Sequence, residues 1–363
     1  MKKWRLKSKR IAAAACMVAC SGLAHAQSSV TLYGRLDTGI QYLTGVRTAN
    51  GSKSVFGLED GNGGVSFFGL RGAEDLGSGT QAIFQLDTMF STLNGSIPVA
   101  GDIWARHAYV GLTNPNYGTL HLGEEPFIAN EIWIFDPFMQ SKWSSASLVH
   151  GRNWPISNNN ISYRTPTIGG FQVYGQYSLS NSTSWNGNGS TPQGRQAGIS
   201  MTYTAALFQL GALYDEIRDP ANGRFDNVYE YSREYTLMGN VFAGPVRFQL
   251  AYQTSHAPDA AIGTSSVTQH GWAGATWQVN PFLALVLAAY HINANNGGGS
   301  GTLYTFGGSY SLSKRTSIEW QAATVRNSKT ASFGLLPVPY GNTNDPLAGH
   351  TQSGVYAEIR HLF

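Results

Sequence analysis

Apolar and polar residues alternate one for one along most of this 363-residue chain. In SVTLYGRLDTGIQY (29–42), Val30, Leu32, Leu36, Ile40 and Tyr42 fall on one side, and Thr31, Arg35, Asp37 and Gln41 fall on the other. A period of two is that of a strand with two unlike faces, and the charges on the polar side require that side to meet water. The chain closes in the same rhythm. In GVYAEIRHLF (354–363), Val355, Ala357, Ile359 and Phe363 oppose Tyr356, Glu358 and Arg360, and His361 is the exception on the apolar side. No helical periodicity is long enough to compete.

The alternation predicts sixteen strands, at 29–43, 65–74, 80–90, 103–113, 117–123, 160–165, 170–180, 196–204, 207–217, 229–242, 246–254, 268–278, 282–293, 301–312, 316–326 and 353–363. Short links (EDLGSG after Gly72, NPNYG at 114–118, TPTIGG at 165–170, AGP at 243–245, NP at 280–281, SKR at 313–315) alternate with long Gly- and Asn-rich ones at 44–64, 124–159, 181–195, 255–267 and 327–352. Tight turns at one end and long loops at the other describe an up-and-down antiparallel meander. SNSTSWNGNGS (180–190) is low-complexity and reads as a loop tip. No domain boundary interrupts residues 27–363.

Residues 1–26 read as a cleaved secretory signal: six Lys and Arg in MKKWRLKSKR, the apolar IAAAACMVAC, then AHA before Gln27. A lipoprotein-type cut before Cys20 is the rival reading. Removing residues 1–26 takes those six basic residues and turns the formal charge from +3 to −3, so the basic balance belongs to the signal and implies no nucleic-acid partner. Both cysteines, Cys16 and Cys20, leave with it, which excludes a disulfide, a thiol nucleophile or a cysteine metal site in the mature chain. The mature chain holds no apolar run of the roughly 18 residues that a membrane helix needs. LALVLAAY (283–290) has the length of a strand.

Which solvent meets the apolar faces decides the class. A sandwich of eight to ten strands would bury them against a second sheet. Sixteen strands of about ten residues behind an export signal fit a transmembrane β-barrel, apolar outside and polar toward a water-filled interior, whose sheet must close because lipid satisfies no backbone group. Tyr42, Phe90, Tyr117, Tyr252 and Tyr310, near strand ends, suit the aromatic girdles of such a barrel. The last strand must then pair with the first, which gives the terminal Phe363 its place.

From SSVTLYGRLDTGI through FGLRGAEDLGSGTQAIFQLD, RHAYVGLTNPNYGTLHLG, NNISYRTPTIGGFQVYGQYS and YSLSKRTSIEW to GVYAEIRHLF, the chain resembles the general porins of beta-proteobacterial outer membranes over nearly all of its mature length. The resemblance implies a sixteen-stranded barrel with short periplasmic turns, long extracellular loops and an inward-folded third loop. It also implies a homotrimer, a setting of outer-membrane lipid and lipopolysaccharide, a terminal Phe363 read by the barrel-assembly machinery, and passive diffusion of ions and small hydrophilic solutes. The third loop corresponds to 124–159 and contains EEPFIANEIWIFDPFMQ. Glu131 and Asp136 are its candidate constriction carboxylates. Arg35, Arg71 and Arg106 are the candidate basic wall, with Arg152 and Arg164 as further candidates; the alternation leaves the facing of Arg106 ambiguous. Phe67 and Glu124 stand where the family often has basic residues, which weakens the expectation of anion preference.

Two other functions compete. A substrate-specific channel, for sugars among other solutes, would use the loop aromatics Trp133, Phe135, Phe138, Trp143 and Trp154 as a track, although loop aromatics more often anchor a loop to the wall. An outer-membrane hydrolase would need a site, but His107, His121, His150, His256, His270, His291, His350 and His361 show no metal-ligand spacing and no Gly-x-Ser-x-Gly turn occurs. No catalytic residue, metal or cofactor is expected.

Overall fold

The computed structural model describes residues 29–98, 101–149, 152–180, 183, 194–336 and 345–363. The expected signal segment, His150 and most of the 180–190 stretch lie outside them. Seventeen strand segments run in chain order: β1 (Ser29–Thr48), β2 (Gly51–Asp60), β3 (Phe67–Gly77), β4 (Thr80–Met89), β5 (His107–Asn114), β6 (Gly118–Pro126), β7 (Ile156–Arg164), β8 (Phe171–Ser178), β9 (Gln196–Thr204), β10 (Phe208–Ile217), β11 (Arg233–Ala243), β12 (Val246–His256), β13 (Val267–Gln278), β14 (Leu283–Ala294), β15 (Gly299–Ser311), β16 (Thr316–Asn327) and β17 (Gln352–Leu362).

From β3 onward each strand pairs antiparallel with the next. One edge of β1 bonds β17, from Arg35 opposite Leu362 to Leu43 opposite Gly354. The other edge bonds β3 over Ser29 to Arg35 and β2 over Thr38 to Thr48. β2 and β3 are therefore two halves of one stave parted at 61–66, and the seventeen segments make a closed barrel of sixteen antiparallel staves. Phe363 completes the seam: its N–H donates to the Gly34 carbonyl and its carbonyl accepts from the Gly34 N–H, both at 3.1 Å.

The expected long link at 44–64 is corrected. β1 continues to Thr48, turns within two residues and returns as β2. GSKSVFGLED lacks a clean apolar face, and the break at 61–66 splits its stave, so the pattern concealed a strand that backbone pairing with β1 supports. β5 and β11 begin four residues later than the alternation predicts, and β7 four residues earlier.

The two faces separate as the alternation requires. On β1, Leu32, Leu36, Ile40 and Tyr42 are exposed outward, while Asp37, Gln41 and Leu43 are buried inward. On β17, Val355 and Ile359 point out, and Tyr356 and Glu358 point in. Outward Tyr117, Tyr163, Tyr203, Phe171 and Phe208 cluster near the short turns, as a girdle would.

Candidate functional site: the barrel lumen

The described residues of the link between β6 and β7 (127–149 and 152–155), third in order on the long-loop end, fold into the barrel and line the inner wall. The link's backbone carries two short 3₁₀ segments, Ile128–Phe135 and Ser145–Leu148. Irregular backbone inside a barrel needs partners for its polar groups, and the wall supplies them. The Gln176 side-chain oxygen Oε1 accepts from the Ile128 N–H at 2.5 Å, Asn240 Nδ2 donates to the Ile134 carbonyl at 3.2 Å, Trp272 Nε1 to the Phe135 carbonyl at 3.0 Å, and Gln321 Nε2 to the Trp143 carbonyl at 2.6 Å. Apolar packing does the rest: Phe127, Ile128, Phe135, Trp143 and Leu148 are fully buried. Two inward-facing glycines make room. A Cβ on Gly211 would lie 2.9 Å from the Phe135 ring, and one on Gly354 would lie 2.7 Å from the Trp143 ring.

The loop thus lies along β8 to β17, with Leu43 of β1 buried in the same cluster as Trp143, whereas Arg35, Arg71 and Arg106 of the remaining wall keep some exposure. Its burial answers the aromatic question for two residues, since Phe135 and Trp143 are anchors under the loop. Trp133 is exposed.

The candidate carboxylates part company. Glu131 reaches Arg164 at the end of β7 with both oxygens, at 2.8 and 3.1 Å, and the Arg164 guanidinium lies 3.9 Å over the Tyr174 ring. Asp136 does not face the lumen, which corrects the expectation for it. It is fully buried and accepts from the Tyr290 hydroxyl at 2.7 Å and from the N–H groups of Phe138 and Ser145. Burial pushes its carboxyl above the ordinary range, against the pull of those hydrogen bonds. Arg152 is likewise corrected: it is no wall residue but sits buried at the far end of the loop, ion-paired with Asp215 of β10, 3.7 Å from Glu234 of β11, and donating to Ser232. Both residues hold the loop.

Arg35, Arg71 and Arg106 do share the wall opposite the loop. Arg106, whose facing was ambiguous, precedes β5 and turns inward to Asp87 at 2.7 Å. Asp87 also accepts from Tyr33, from Gln85 at 3.0 Å and pairs with His107 at 2.8 Å. Arg35 donates through Nε to the Val65 carbonyl at 2.9 Å, and Arg71 lies 4.8 Å over the Tyr33 ring. His121 stacks on Tyr109 at 4.0 Å and bonds Glu125 at 2.8 Å.

The sequence reading omitted Arg360 and Lys142. Arg360 lies 2.6 Å from Glu319, 3.1 Å from Asp37 and 3.8 Å from Glu358; Lys142 leaves the loop to reach Glu59 at 2.7 Å. The alternation of β17 already turned Arg360 inward, so a signal for it existed. In two wall pairs the cation fronts the water and the carboxylate lies behind it: the Arg106 side chain is 28% exposed and Asp87 0%, and Arg360 is 20% exposed and Asp37 0%. Glu124 takes no charge from this wall. It lies opposite Ala108 and shares its parity with Leu122 on the outer face.

A family model described as Gram-negative porin matches residues 12–330. An outer membrane porin protein of Bordetella pertussis is 31% identical over 264 residues, spanning 67% of this chain and 68% of its own. Outer membrane porin protein 32 of Delftia acidovorans is 29% identical over 371 residues, spanning 98% and 100%. Among solved structures, the anion-selective porin from Comamonas acidovorans superposes with a TM-score of 0.76 at 25% identity, over 93% of this chain and 100% of that one.

Proposed function

The chain belongs to the Gram-negative porin family, as an outer-membrane barrel whose water-filled channel passes ions and small hydrophilic solutes by diffusion, and from that premise we propose that its lumen favours anions. The observation that carries the reading is the wall itself. Arg35, Arg71 and Arg106 stand opposite the inward loop, and in the Arg106–Asp87 and Arg360–Asp37 pairs the guanidinium is the member that meets water. A channel wall of fixed charge selects the opposite sign of permeant ion, and low-dielectric surroundings focus its field. Arg71 contributes most, because it is the most exposed of the three and, among the described residues, stacks on Tyr33 without a carboxylate partner. The solved anion-selective porin from Comamonas acidovorans lends support by its likeness.

The third loop narrows the opening in this reading, with Glu131 as its lumen carboxylate, already paired to Arg164. We also propose a homotrimer. Among the described residues β2 has a strand partner on one edge only, and Phe56 and Leu58 project from it outward, which suits a subunit contact there. Phe363, bonded into the seam at Gly34, serves as the residue that the assembly machinery reads.

The reversal potential of the refolded protein in a planar bilayer under a KCl gradient tests the selectivity. Chloride preference is expected, and Arg71→Gln should reduce it. A potassium preference in the parent protein would refute the reading.

A further inference from the structure

We propose that Phe67, an uncharged residue, sets the strength of the anion preference by holding two guanidiniums at one ring; the inference rests on the anion reading above. Phe67 opens β3 with its side chain inward. The Arg106 guanidinium carbon lies 4.2 Å from its ring centroid and that of Arg35 lies 5.5 Å away, while Tyr33 meets the ring edge-on at 5.9 Å. The two cations come from staves that do not touch each other. Arg35 is on β1, next to β3, and Arg106 precedes β5, on the far side of β4. Phe67 is the side chain that joins them.

Like charges brought to one place repel, so something must offset their approach. The negative face of an aromatic ring attracts a guanidinium, most strongly where water is partly excluded. Each arginine has one further tether: Arg35 Nε to the Val65 carbonyl and Arg106 Nη1 to Asp87. Ring contact engages a guanidinium through its flat face and leaves in-plane N–H groups to point elsewhere, which is the arrangement that receives a carboxylate, phosphate or halide. Among the described residues, Arg35 makes no other hydrogen bond, so its Nη1 and Nη2 groups are available to a passing anion.

Without the ring, Arg35 has a competing destination. Asp37 and Glu319 attract its charge, although Arg360 already pairs with both, and a swing toward that cluster would draw the guanidinium into an ion-pair network and away from the ring. An aliphatic side chain of similar bulk at position 67 therefore changes selectivity although no charge is added or removed. This inverts what the sequence suggests at that position, where an aromatic residue in place of a basic one reads as a loss of anion attraction.

The test compares permeability ratios, from reversal potentials under a KCl gradient, for the parent protein, Phe67→Leu, Phe67→Trp, Arg106→Gln and the double variant Phe67→Leu/Arg106→Gln, each verified as a folded barrel by heat-modifiable gel migration. Phe67→Leu is expected to lower the chloride-to-potassium ratio about two- to fivefold, and Phe67→Trp to retain it. In the double variant the two effects should fall short of their product, since each removes part of the same contact. A simple widening of the pore would instead act alike on Leu in either background. An unchanged ratio in Phe67→Leu, or full additivity in the double variant, overturns the assignment. Failure of the anion reading shows separately, in the sign of the parent's own potential, while the difference between parent and Phe67→Leu still decides the role of Phe67.

Discussion

Glu131 on the inward loop and Arg164 on the wall form a two-pronged ion pair, with oxygen-to-nitrogen distances of 2.8 and 3.1 Å. The carboxylate expected to face a basic wall across the opening is thus neutralised at short range. Both side chains are partly exposed, so the pair adds only about 0–1 kcal/mol to stability. Its weight is in the field. Glu131→Gln frees the Arg164 charge and should raise the chloride-to-potassium ratio about two- to fivefold, the effect of a unit charge several ångströms from a permeating ion in water. Arg164→Gln should move the ratio the other way. Reversal potentials of the two variants read both directions.

Asp136 should behave quite differently. Because it is buried against Tyr290 and the N–H groups of Phe138 and Ser145, its charge lies outside the lumen field. Asp136→Asn keeps an acceptor oxygen for the Tyr290 hydroxyl and the Phe138 N–H, gives up only the one facing the Ser145 N–H, and should leave the permeability ratio unchanged. Asp136→Ala leaves the Tyr290 hydroxyl and two backbone donors without an acceptor, at about 1–3 kcal/mol for each group left unsatisfied. Open-channel noise and loop proteolysis should then increase.

The contrast between these two residues shows what the sequence could and could not reveal. On strands, alternation assigns each side chain to lipid or water, so Arg35, Asp37 and the β17 pattern were readable, as was the closing role of the last strand. In an irregular loop no period exists. Glu131 and Asp136 are five residues apart and look alike in the chain, and only the packing of Phe135 and Trp143 against the wall decides which carboxylate is buried. Arg152 was misassigned for the same reason. β2 was missed because its inner and outer faces do not differ enough to show a strand, and Glu124 was misread because the expected strand stopped at 123 whereas β6 runs on to Pro126 and carries Glu124 on the outer face with Leu122.

Arg152 offers a test of how the loop is held. Its guanidinium is buried with Asp215 and Glu234. Removing one partner from a buried ion cluster costs about 3–5 kcal/mol, because charge is left behind unpaired. Arg152→Ala should therefore release the 145–155 end of the loop, seen as faster amide exchange there and as added subconductance states, while the strands keep their exchange protection. Restoring neutrality with Arg152→Ala/Asp215→Asn/Glu234→Gln should recover part of the loss.

The central claim is that guanidiniums on the wall, and not carboxylates on the loop, decide which ions the channel favours. The reversal potential of Arg35→Gln/Arg71→Gln/Arg106→Gln beside that of the parent, in the same KCl gradient, addresses it most directly. Removing the three cations while Asp87, Asp37 and Glu319 remain should turn a chloride preference into a potassium preference. A triple variant that conducts normally and keeps the parent's chloride preference would contradict the account.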